Sequence, residues 1–343
     1  MKKIKIGKHL VGDQEPCFII AEAGSNHNGS FEQAKKLIDA ASEAGAGAVK
    51  FQIFTAEKLY SKYTPEFSYL KGKSTYELIK NIETPRDWIK GLAEYCEEKN
   101  IDFLASAFDF EAVDLLDKYV SAFKIASFEI VDLELIKYTA QKGKPIIIST
   151  GMANLGEIEE AINAAKSTGN EDIILLHCNS VYPTPVDIVN LAAMETMRKA
   201  FHTPVGFSDH TLGIHIPVAA VAMGACVIEK HFTLDRNLPG PDHSFAIEPD
   251  ELKEMMEWIR EVEKSRGNGI KEKSELESEE MYAKARRSVH AKVDIPKGTK
   301  ITKDMLIIKR PGYGIKPKFI DIVVGREAKK DIKADEWITW EMI

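Results

Sequence analysis

The feature that most constrains how this chain can fold is an alternation of short apolar runs with longer amphipathic segments, repeated through most of its length. Eight of these runs have the length and the Ile-, Val- and Phe-rich composition of buried strands. The runs are residues 18–21, 48–53, 102–105, 122–125, 145–149, 173–177, 205–207 and 227–228.

Amphipathic segments that predict helices accompany these runs: residues 31–44, 85–98, 110–118, 133–142, 155–167, 189–200 and 249–264. Strands that alternate with helices favour an α/β fold with a parallel sheet. Eight such strands in about 250 residues are typical of a (β/α)8 TIM barrel. A doubly wound open sheet is the alternative, but no Gly-x-Gly-x-x-Gly follows the first run.

Some segments fall outside this alternation. Residues 4–11 predict an N-terminal hairpin, and the long polar segment 55–84 is typical of a functional lid. Residues 265–284 are charged and predict a linker, whereas residues 285–343 contain short β-like runs separated by turns. The sequence therefore predicts a barrel domain at 1–264, a linker at 265–284 and a small, mostly β domain at 285–343. A domain of that size gains stability by packing on a neighbour.

Charge and cysteine usage narrow the possible partners and compartment. The 343 residues carry a net charge of -7, which argues against nucleic acid or an anionic membrane as the main partner. The first residues lack a signal peptide's apolar stretch, and no run is long enough to span a membrane, so we expect a cytoplasmic protein. Four widely spaced cysteines without a Cys-x-x-Cys pair predict reduced thiols, of which only Cys178 lies beside a candidate site residue.

Two histidines follow the last two apolar runs. His210 and His231 are predicted to lie at the carboxyl ends of neighbouring strands, where barrels carry their chemistry. Two neutral imidazoles can bind a divalent metal, with water and substrate completing the coordination. Asp209 and Glu229 are adjacent carboxylates that we expect to orient the rings. The alternative is that each histidine only caps its strand and bonds the backbone.

Two lysines lie within or at the ends of apolar runs. An unpaired charge is costly there, so Lys50 and Lys124 have either structural ion-pair partners or a functional anion. Together with several hydroxyls at one barrel mouth, they favour a site for phosphate or carboxylate. Glu22 is the acid or base candidate, with a salt bridge to a lysine as its alternative role.

Eight sequence blocks, in order, resemble the sialic acid synthase family. They are I-I-A-E-A-G-S-N-H-N-G, A-V-K-F-Q, F-K-I-A-S-F-E, I-I-S-T-G-M, L-H-C-N-S-V-Y-P-T-P, G-F-S-D-H-T-L, E-K-H-F-T-L-D and G-P-D-H. The C-terminal D-I-P-K-G-T-K-I-T and I-K-R-P-G-Y-G-I resemble the antifreeze-like (SAF) domain that ends those enzymes. The resemblance covers nearly the whole chain.

The resemblance implies a particular reaction. Enzymes of this family condense phosphoenolpyruvate with an open-chain N-acylated hexosamine and water, giving a nine-carbon 2-keto acid and phosphate. The acceptor is N-acetylmannosamine or a trideoxy diacetamido hexose, and the sequence does not distinguish them. The resemblance also implies a divalent metal, Mn2+ or Mg2+, which polarises the sugar aldehyde.

The resemblance also implies roles for individual residues. His210 and His231 match the metal ligands, and Glu22 and Glu129 match carboxylates at the reacting carbons. The residues that match phosphoenolpyruvate contacts are Lys50, Lys124, Ser127, Ser149 and Ser208, and those that match sugar contacts are Gln52, Tyr182 and Asp242. Ser106 and Ser180 depart from the family pattern, in which threonine and asparagine are common.

Arg310 matches an arginine that the C-terminal domain contributes to the partner subunit's site, which implies a domain-swapped homodimer.

Two rival functions fit parts of the pattern. A metal-dependent barrel hydrolase or epimerase would also use histidines and carboxylates, but it leaves the paired lysines unexplained. A non-enzymatic sugar-binding protein built around the β domain leaves the polar barrel mouth unexplained.

Overall fold

The computed structural model describes residues 2–65 and 74–343, and these divide into two compact units, 1–267 and 268–343. The middle of the expected lid, residues 66–73, lies outside the described residues. The exact domain boundaries given above stay a prediction.

The first unit is a closed parallel barrel of eight strands, in the order β10-β3-β4-β5-β6-β7-β8-β9. Its strands are β3 Phe18–Gly24, β4 Ala48–Ile53, β5 Asp102–Ala107, β6 Phe123–Ile125, β7 Ile146–Ser149, β8 Ile173–Cys178, β9 Val205–Asp209 and β10 Val227–His231. Two earlier strands, β1 Ile4–Ile6 and β2 His9–Val11, pair as an antiparallel hairpin. The predicted barrel is confirmed, and the closed strand order excludes the doubly wound sheet.

The helices of this unit are α1 Phe31–Glu43, α2 Ala56–Leu59, α3 Thr75–Asn81, α4 Trp88–Glu98, α5 Phe110–Leu116, α6 Leu133–Ala140, α7 Leu155–Lys166, α8 Ala193–Phe201, α9 His215–Ala222 and α10 Pro249–Ser265. Local capping explains several starts: Ser30 accepts a hydrogen bond from the Gln33 amide at α1, and Asn154 with Glu157 forms a capping box at α7. Within the described ranges, no helix is long and apolar enough to cross a membrane.

Two expectations for this unit were wrong. The segment 55–84 is not a continuous loop, because α2 and α3 lie within it. The apolar stretch between β9 and β10 contains α9, which was not predicted. Because α9 is apolar on every side, its sequence lacks the 3.6-residue periodicity that identifies an amphipathic helix.

The barrel has one apolar core between strands and helices and a second core inside the strands. The interior core includes Ile20, Leu104 and Ile174, and the hairpin adds Ile4, Ile6 and Val11 to it. The hairpin therefore packs against the interior of the barrel. The inner layers are filled with apolar side chains, so polar chemistry is confined to the carboxyl ends of the strands, here called the mouth.

The second unit is small and has a core of its own, which includes Val289, Ile301 and Ile338. Its elements are α11 Glu279–Ala285, β11 Ser288–Ala291, β12 Leu306–Lys309 and α12 Ile320–Val323. β11 and β12 pair antiparallel, and isolated bridges such as Ile295 with Ile332 add further β structure. The expected linker is not wholly irregular, since α11 occupies its last part.

Candidate active site

Register brings the polar residues of the mouth to one level. Glu22 on β3 is paired with Lys50 on β4 and with His231 on β10. Further around the barrel, Ser106 is paired with Lys124, and Ser208 is paired with Glu229. Because side chains alternate along a strand, residues at equal height on neighbouring strands point into the same space.

Lys50 is the centre of a buried ion-pair network. Its Nζ lies 2.7 Å from Glu22 Oε2, 3.7 Å from Glu229 Oε2 and 3.0 Å from Ser106 Oγ. Gln52 Nε2 donates to Glu22 Oε1 at 2.7 Å. Burial opposes the lysine charge, but the two carboxylates outweigh it and raise the pKa of Lys50. Burial raises the pKa of Glu22 more than the adjacent lysine lowers it.

Lys124 is less tightly paired than Lys50. Its Nζ donates to the Ile125 carbonyl at 2.9 Å, and its nearest carboxylate oxygen, Glu229 Oε1, is 3.9 Å away. Burial lowers the pKa of Lys124. An ammonium with one hydrogen bond and a distant counter-charge retains two donors for an anion, so Lys124 is the better candidate for direct substrate contact.

Asp209 and Glu229 were expected to orient the rings directly, and this was wrong, because neither carboxylate hydrogen-bonds an imidazole. Glu229 Oε1 accepts from Ser208 Oγ at 3.0 Å and faces the two lysines, while Asp209 Oδ2 lies 2.6 Å from Lys230 Nζ. Sequence reasoning missed Glu229 as the carboxylate between the lysines. The signal was present, because Glu229 and His231 are two residues apart and so share a face of β10.

The two histidines lie side by side, with ring centroids 5.3 Å apart. His210 Nδ1 donates to the Asn179 carbonyl at 2.9 Å, a bond that leaves the lone pair on Nε2. His231 Nδ1 is buried without a hydrogen bond among the described residues and lies 3.7 Å from Asp242 Oδ2. Burial holds the pKa of His231 well below its usual value, so this ring is neutral.

An aromatic and acidic wall flanks the histidines. The Tyr182 ring lies 4.3 Å from that of His210 and 5.5 Å from that of Phe245. Asp242 Oδ2, Gln52 Nε2 and Glu22 Oε1 converge on Gly24, where a Cβ atom would lie 3.4 Å from each of them. The three predicted sugar contacts therefore surround the same mouth. Phe245 was not predicted.

A group of serines lies across the mouth. The Gly151 amide donates to Ser127 Oγ at 3.1 Å, and a Cβ at this glycine would lie 2.3 Å from Ser180 Oγ. Among the described residues, the buried hydroxyl of Ser149 has no hydrogen-bond partner, and that of Ser180 lies within reach of Tyr182. Buried hydroxyls next to a backbone amide are suited to an anionic oxygen. Gly151 was not predicted as a site residue. A side chain at this position would clash with Ser180 Oγ.

Glu129 follows β6 in a 3-10 helix, Ser127–Val131, and its Oε2 is buried without a hydrogen bond among the described residues. Burial raises the pKa of Glu129 to about 7, against the opposing effect of Lys124. A carboxyl group with this pKa can both donate and accept a proton near neutral pH.

We expect the raised pKa of Glu129 to make stability pH-dependent. A carboxyl group whose pKa is higher in the folded state contributes stability at pH values below about 4.5 that is lost as the pH rises through about 7. Relative to Glu129→Gln, the wild type should therefore lose about 1–3 kcal/mol of unfolding free energy between pH 5 and pH 8.5. Urea unfolding at both values measures this, with the exposed Glu134→Gln as control. If the difference in unfolding free energy between wild type and Glu129→Gln is the same at pH 5 and pH 8.5, the pKa of Glu129 is not raised by folding.

One predicted site residue lies outside the first unit. Arg310 belongs to the unit 268–343, where its side chain is exposed and forms no hydrogen bond or ion pair with described residues.

Cys178, the last residue of β8, is buried with its Sγ 3.8 Å from His210 Nδ1. All four cysteines are free thiols.

Comparison with known proteins identifies the family to which this chain belongs. The NeuB family model matches residues 37–271, and the SAF domain model matches residues 286–343. The chain belongs to the NeuB family. The resemblance to sialic acid synthases is thereby confirmed, and the small second unit is a SAF domain.

Individual NeuB-family relatives match over almost the whole chain. An N,N'-diacetyllegionaminic acid synthase of Campylobacter jejuni is 45% identical, over 93% of this chain and 98% of its own. The enzyme of the same name from Legionella pneumophila is 42% identical, over 97% and 96%. The crystal structure of spore coat polysaccharide biosynthesis protein SpsE from Bacillus subtilis superposes with a TM-score of 0.69, at 40% identity over 100% and 99% of the two chains.

Family membership decides between the functional alternatives. This NeuB-family chain is a transferase of the sialic acid synthase type, which forms a carbon–carbon bond with phosphoenolpyruvate. The hydrolase or epimerase and the non-enzymatic sugar-binding protein are thereby disfavoured.

Proposed function

We propose that this enzyme condenses phosphoenolpyruvate with an open-chain N-acylated hexosamine and water, giving a nine-carbon sialic-acid-type 2-keto acid and phosphate. The observation that carries the proposal is the composition of the mouth: two buried lysines, Lys50 and Lys124, lie at the same strand ends as two adjacent histidines. An anionic substrate and a polarised aldehyde are thereby held within reach of each other.

The lysine and serine side of the mouth binds phosphoenolpyruvate in this proposal. Lys124 supplies two N–H donors that no other described residue accepts, and the hydroxyls of Ser149 and Ser180 supply further hydrogen bonds. Ser127 and the Gly151 amide lie beside them. Charge-assisted hydrogen bonds of this kind are about twice as strong as neutral ones.

The carboxyl groups move protons. The enol carbon of phosphoenolpyruvate bonds to the aldehyde carbon, water adds to the resulting cationic carbon, and loss of phosphate leaves the ketone. Glu129, with a pKa of about 7, accepts a proton from the water. Lys50 and Gln52 position Glu22 to give a proton to the aldehyde oxygen. Tyr182, Asp242 and Gln52 bind the sugar.

The residues present fit a divalent metal. His231 is neutral with an unpaired buried nitrogen, and the Asn179 carbonyl fixes the His210 tautomer. No cluster of three or more His, Cys, Asp or Glu ligands exists in residues 2–65 and 74–343, so substrate and water oxygens would complete the coordination. His210 and His231 would hold Mn2+ or Mg2+, which when bound supplies Lewis-acid polarisation of the aldehyde.

The purified enzyme tests this proposal directly. Phosphoenolpyruvate, Mn2+ and each of three acceptors should be mixed separately: N-acetylmannosamine and the trideoxy diacetamido hexoses that lead to legionaminate and pseudaminate. One acceptor should release inorganic phosphate and a 2-keto acid in equal amounts. The relatives named legionaminic acid synthases favour the legionaminate precursor. No phosphate release with any of the three would refute the proposal.

An apolar rim supports a homodimer. Large side chains at the ends of β6 to β9 are exposed: Phe128, Val131, Met152, Val181, Val186 and Leu212. Several exposed apolar side chains at one end of a barrel are typical of a protein interface. In a domain-swapped homodimer, as the family resemblance implies, the exposed guanidinium of Arg310 would bind the N-acyl oxygen in the partner's site.

Mixing two inactive variants tests the swapped dimer. Arg310→Ala and His210→Ala homodimers should each be inactive or strongly impaired. After subunit exchange, a mixed swapped dimer contains one site with both residues intact, so activity should return to at most about half per mixed dimer. Exchange should be verified by mass spectrometry of differently labelled subunits. If exchange occurs without recovery, Arg310 does not act across the dimer.

A further inference from the structure

A second, fully buried ion pair lies directly behind the two histidines, and the proposed reaction does not use it. Lys230 Nζ lies 2.6 Å from Asp209 Oδ2, and both side chains are essentially inaccessible, at 1% and 0% exposure. The two residues are register partners in the β9–β10 ladder. Each immediately precedes one of the histidines in the chain.

The alternation of side chains separates this pair from the substrate. Glu229 and His231 share one face of β10 and point into the mouth, so Lys230, between them, points to the other face. On β9, Ser208 points into the mouth, and Asp209 follows it on the opposite face. The pair therefore cannot contact a substrate bound at the mouth.

Asp209 restrains the backbone around His210. Its Oδ1 accepts from the Thr211 amide at 2.9 Å and its Oδ2 accepts from Thr211 Oγ1 at 3.1 Å. His210 lies between these two residues in the chain, so the carboxylate bridges the segment that carries the ring. The His210 carbonyl in turn accepts from the Thr184 amide at 2.8 Å.

Lys230 connects this restrained segment to β10. Besides Asp209, its Nζ donates to the Thr211 carbonyl. The ammonium thus joins the end of β10, which carries His231, to the turn that carries His210. Breaking a buried pair is strongly destabilising, whereas replacing both charges together is often nearly neutral for stability. A pair kept solely for stability could therefore be replaced without consequence.

We propose that Lys230, Asp209 and Thr211 form a positioning device that fixes the spacing and orientation of His210 and His231. This inference rests on the proposed function in that the histidines are taken as the metal ligands. Removing residues that orient metal ligands typically weakens metal affinity ten- to a hundredfold.

The test uses full-length protein and the near-isosteric double variant Asp209→Asn/Lys230→Met, which removes both charges together. We expect its melting temperature to remain close to that of the wild type and well above that of Asp209→Asn alone. Its dissociation constant for Mn2+, measured by electron paramagnetic resonance of the free ion, should rise about ten- to a hundredfold. The matched control removes an exposed pair, Glu134→Gln/Lys137→Met, and should bind Mn2+ as the wild type does.

A metal-free readout separates this inference from the proposed function. In protein labelled with 15N-histidine, the imidazole signals of His210 and His231 should shift or broaden in the double variant without metal. If wild-type protein does not bind Mn2+, the proposed metal role fails, while the imidazole signals still test positioning. A folded double variant with unchanged imidazole signals would overturn the inference.

A milder variant covers the case in which the double variant does not fold. Thr211→Val keeps the shape of the side chain and removes only the hydroxyl donor to Asp209. We expect its Mn2+ dissociation constant to rise about two- to tenfold, the effect of losing one hydrogen bond of ordinary strength from the network. Unchanged affinity together with unchanged imidazole signals in this variant would likewise overturn the inference.

Discussion

Replacing either His210 or His231 by alanine is expected to lower kcat by about a thousandfold or more, with the fold retained. The physical reason is that these two residues would hold the proposed metal, whose Lewis-acid chemistry would stabilise negative charge on the aldehyde oxygen by several kcal/mol. Both imidazoles lie at the mouth beside aromatic rings and outside the two apolar cores, so we expect the barrel to stay folded without either one. Phosphate release under saturating Mn2+ and phosphoenolpyruvate measures the loss.

The exposed His215 provides the matched control, since His215→Ala removes an imidazole from the start of α9 that is not part of the proposed site. It should retain wild-type turnover. Circular dichroism and melting temperature should be recorded for all three variants to verify folding. Full activity of the wild type after exhaustive chelation would contradict the metal role, and so would wild-type turnover by a folded His231→Ala.

The second large effect is expected at Lys124. Lys124→Met preserves the volume of the side chain but removes the charge and two N–H donors, so the KM for phosphoenolpyruvate should rise about ten- to a hundredfold. The KM for the aminosugar should change little. Lys50→Met should behave differently, because it leaves Glu22 and Glu229 without their closest counter-charge and so also lowers thermal stability.

Comparing the KM values and thermal stabilities of Lys124→Met and Lys50→Met separates a substrate-binding role from a structural one. If both methionine variants lose stability while the kinetics per folded molecule are unchanged, the lysines are structural ion-pair partners. If Lys124→Met raises the KM values for both substrates equally, its ammonium does not act on phosphoenolpyruvate specifically. The exposed Lys137→Met serves as the control for removing a lysine charge away from the mouth.

Much of the fold followed from the sequence because barrel strands are buried on both faces and so read as continuous apolar runs. The eight predicted runs are the eight barrel strands, and the predicted helix 31–44 is α1, Phe31–Glu43. The same reasoning placed Lys50, Lys124, His210 and His231 at the carboxyl ends of strands. Periodicity failed at α9, whose sides are all apolar, and in segment 55–84, where α2 and α3 are too short to produce a pattern.

Tertiary structure alone decided which charged groups are partners. Asp209 stands next to His210 in the sequence, and adjacency suggested contact, yet successive residues on a strand point to opposite faces. Asp209 therefore pairs with Lys230 behind the mouth, whereas Glu229 lies between Lys50 and Lys124 within it. Lys50 and Lys124 come from strands far from Glu229 in the sequence, and only closure of the barrel brings their ammonium groups to 3.7 and 3.9 Å from its carboxylate. Asp209 and Lys230 lie on consecutive strands, and the register of β9 with β10 sets their pairing.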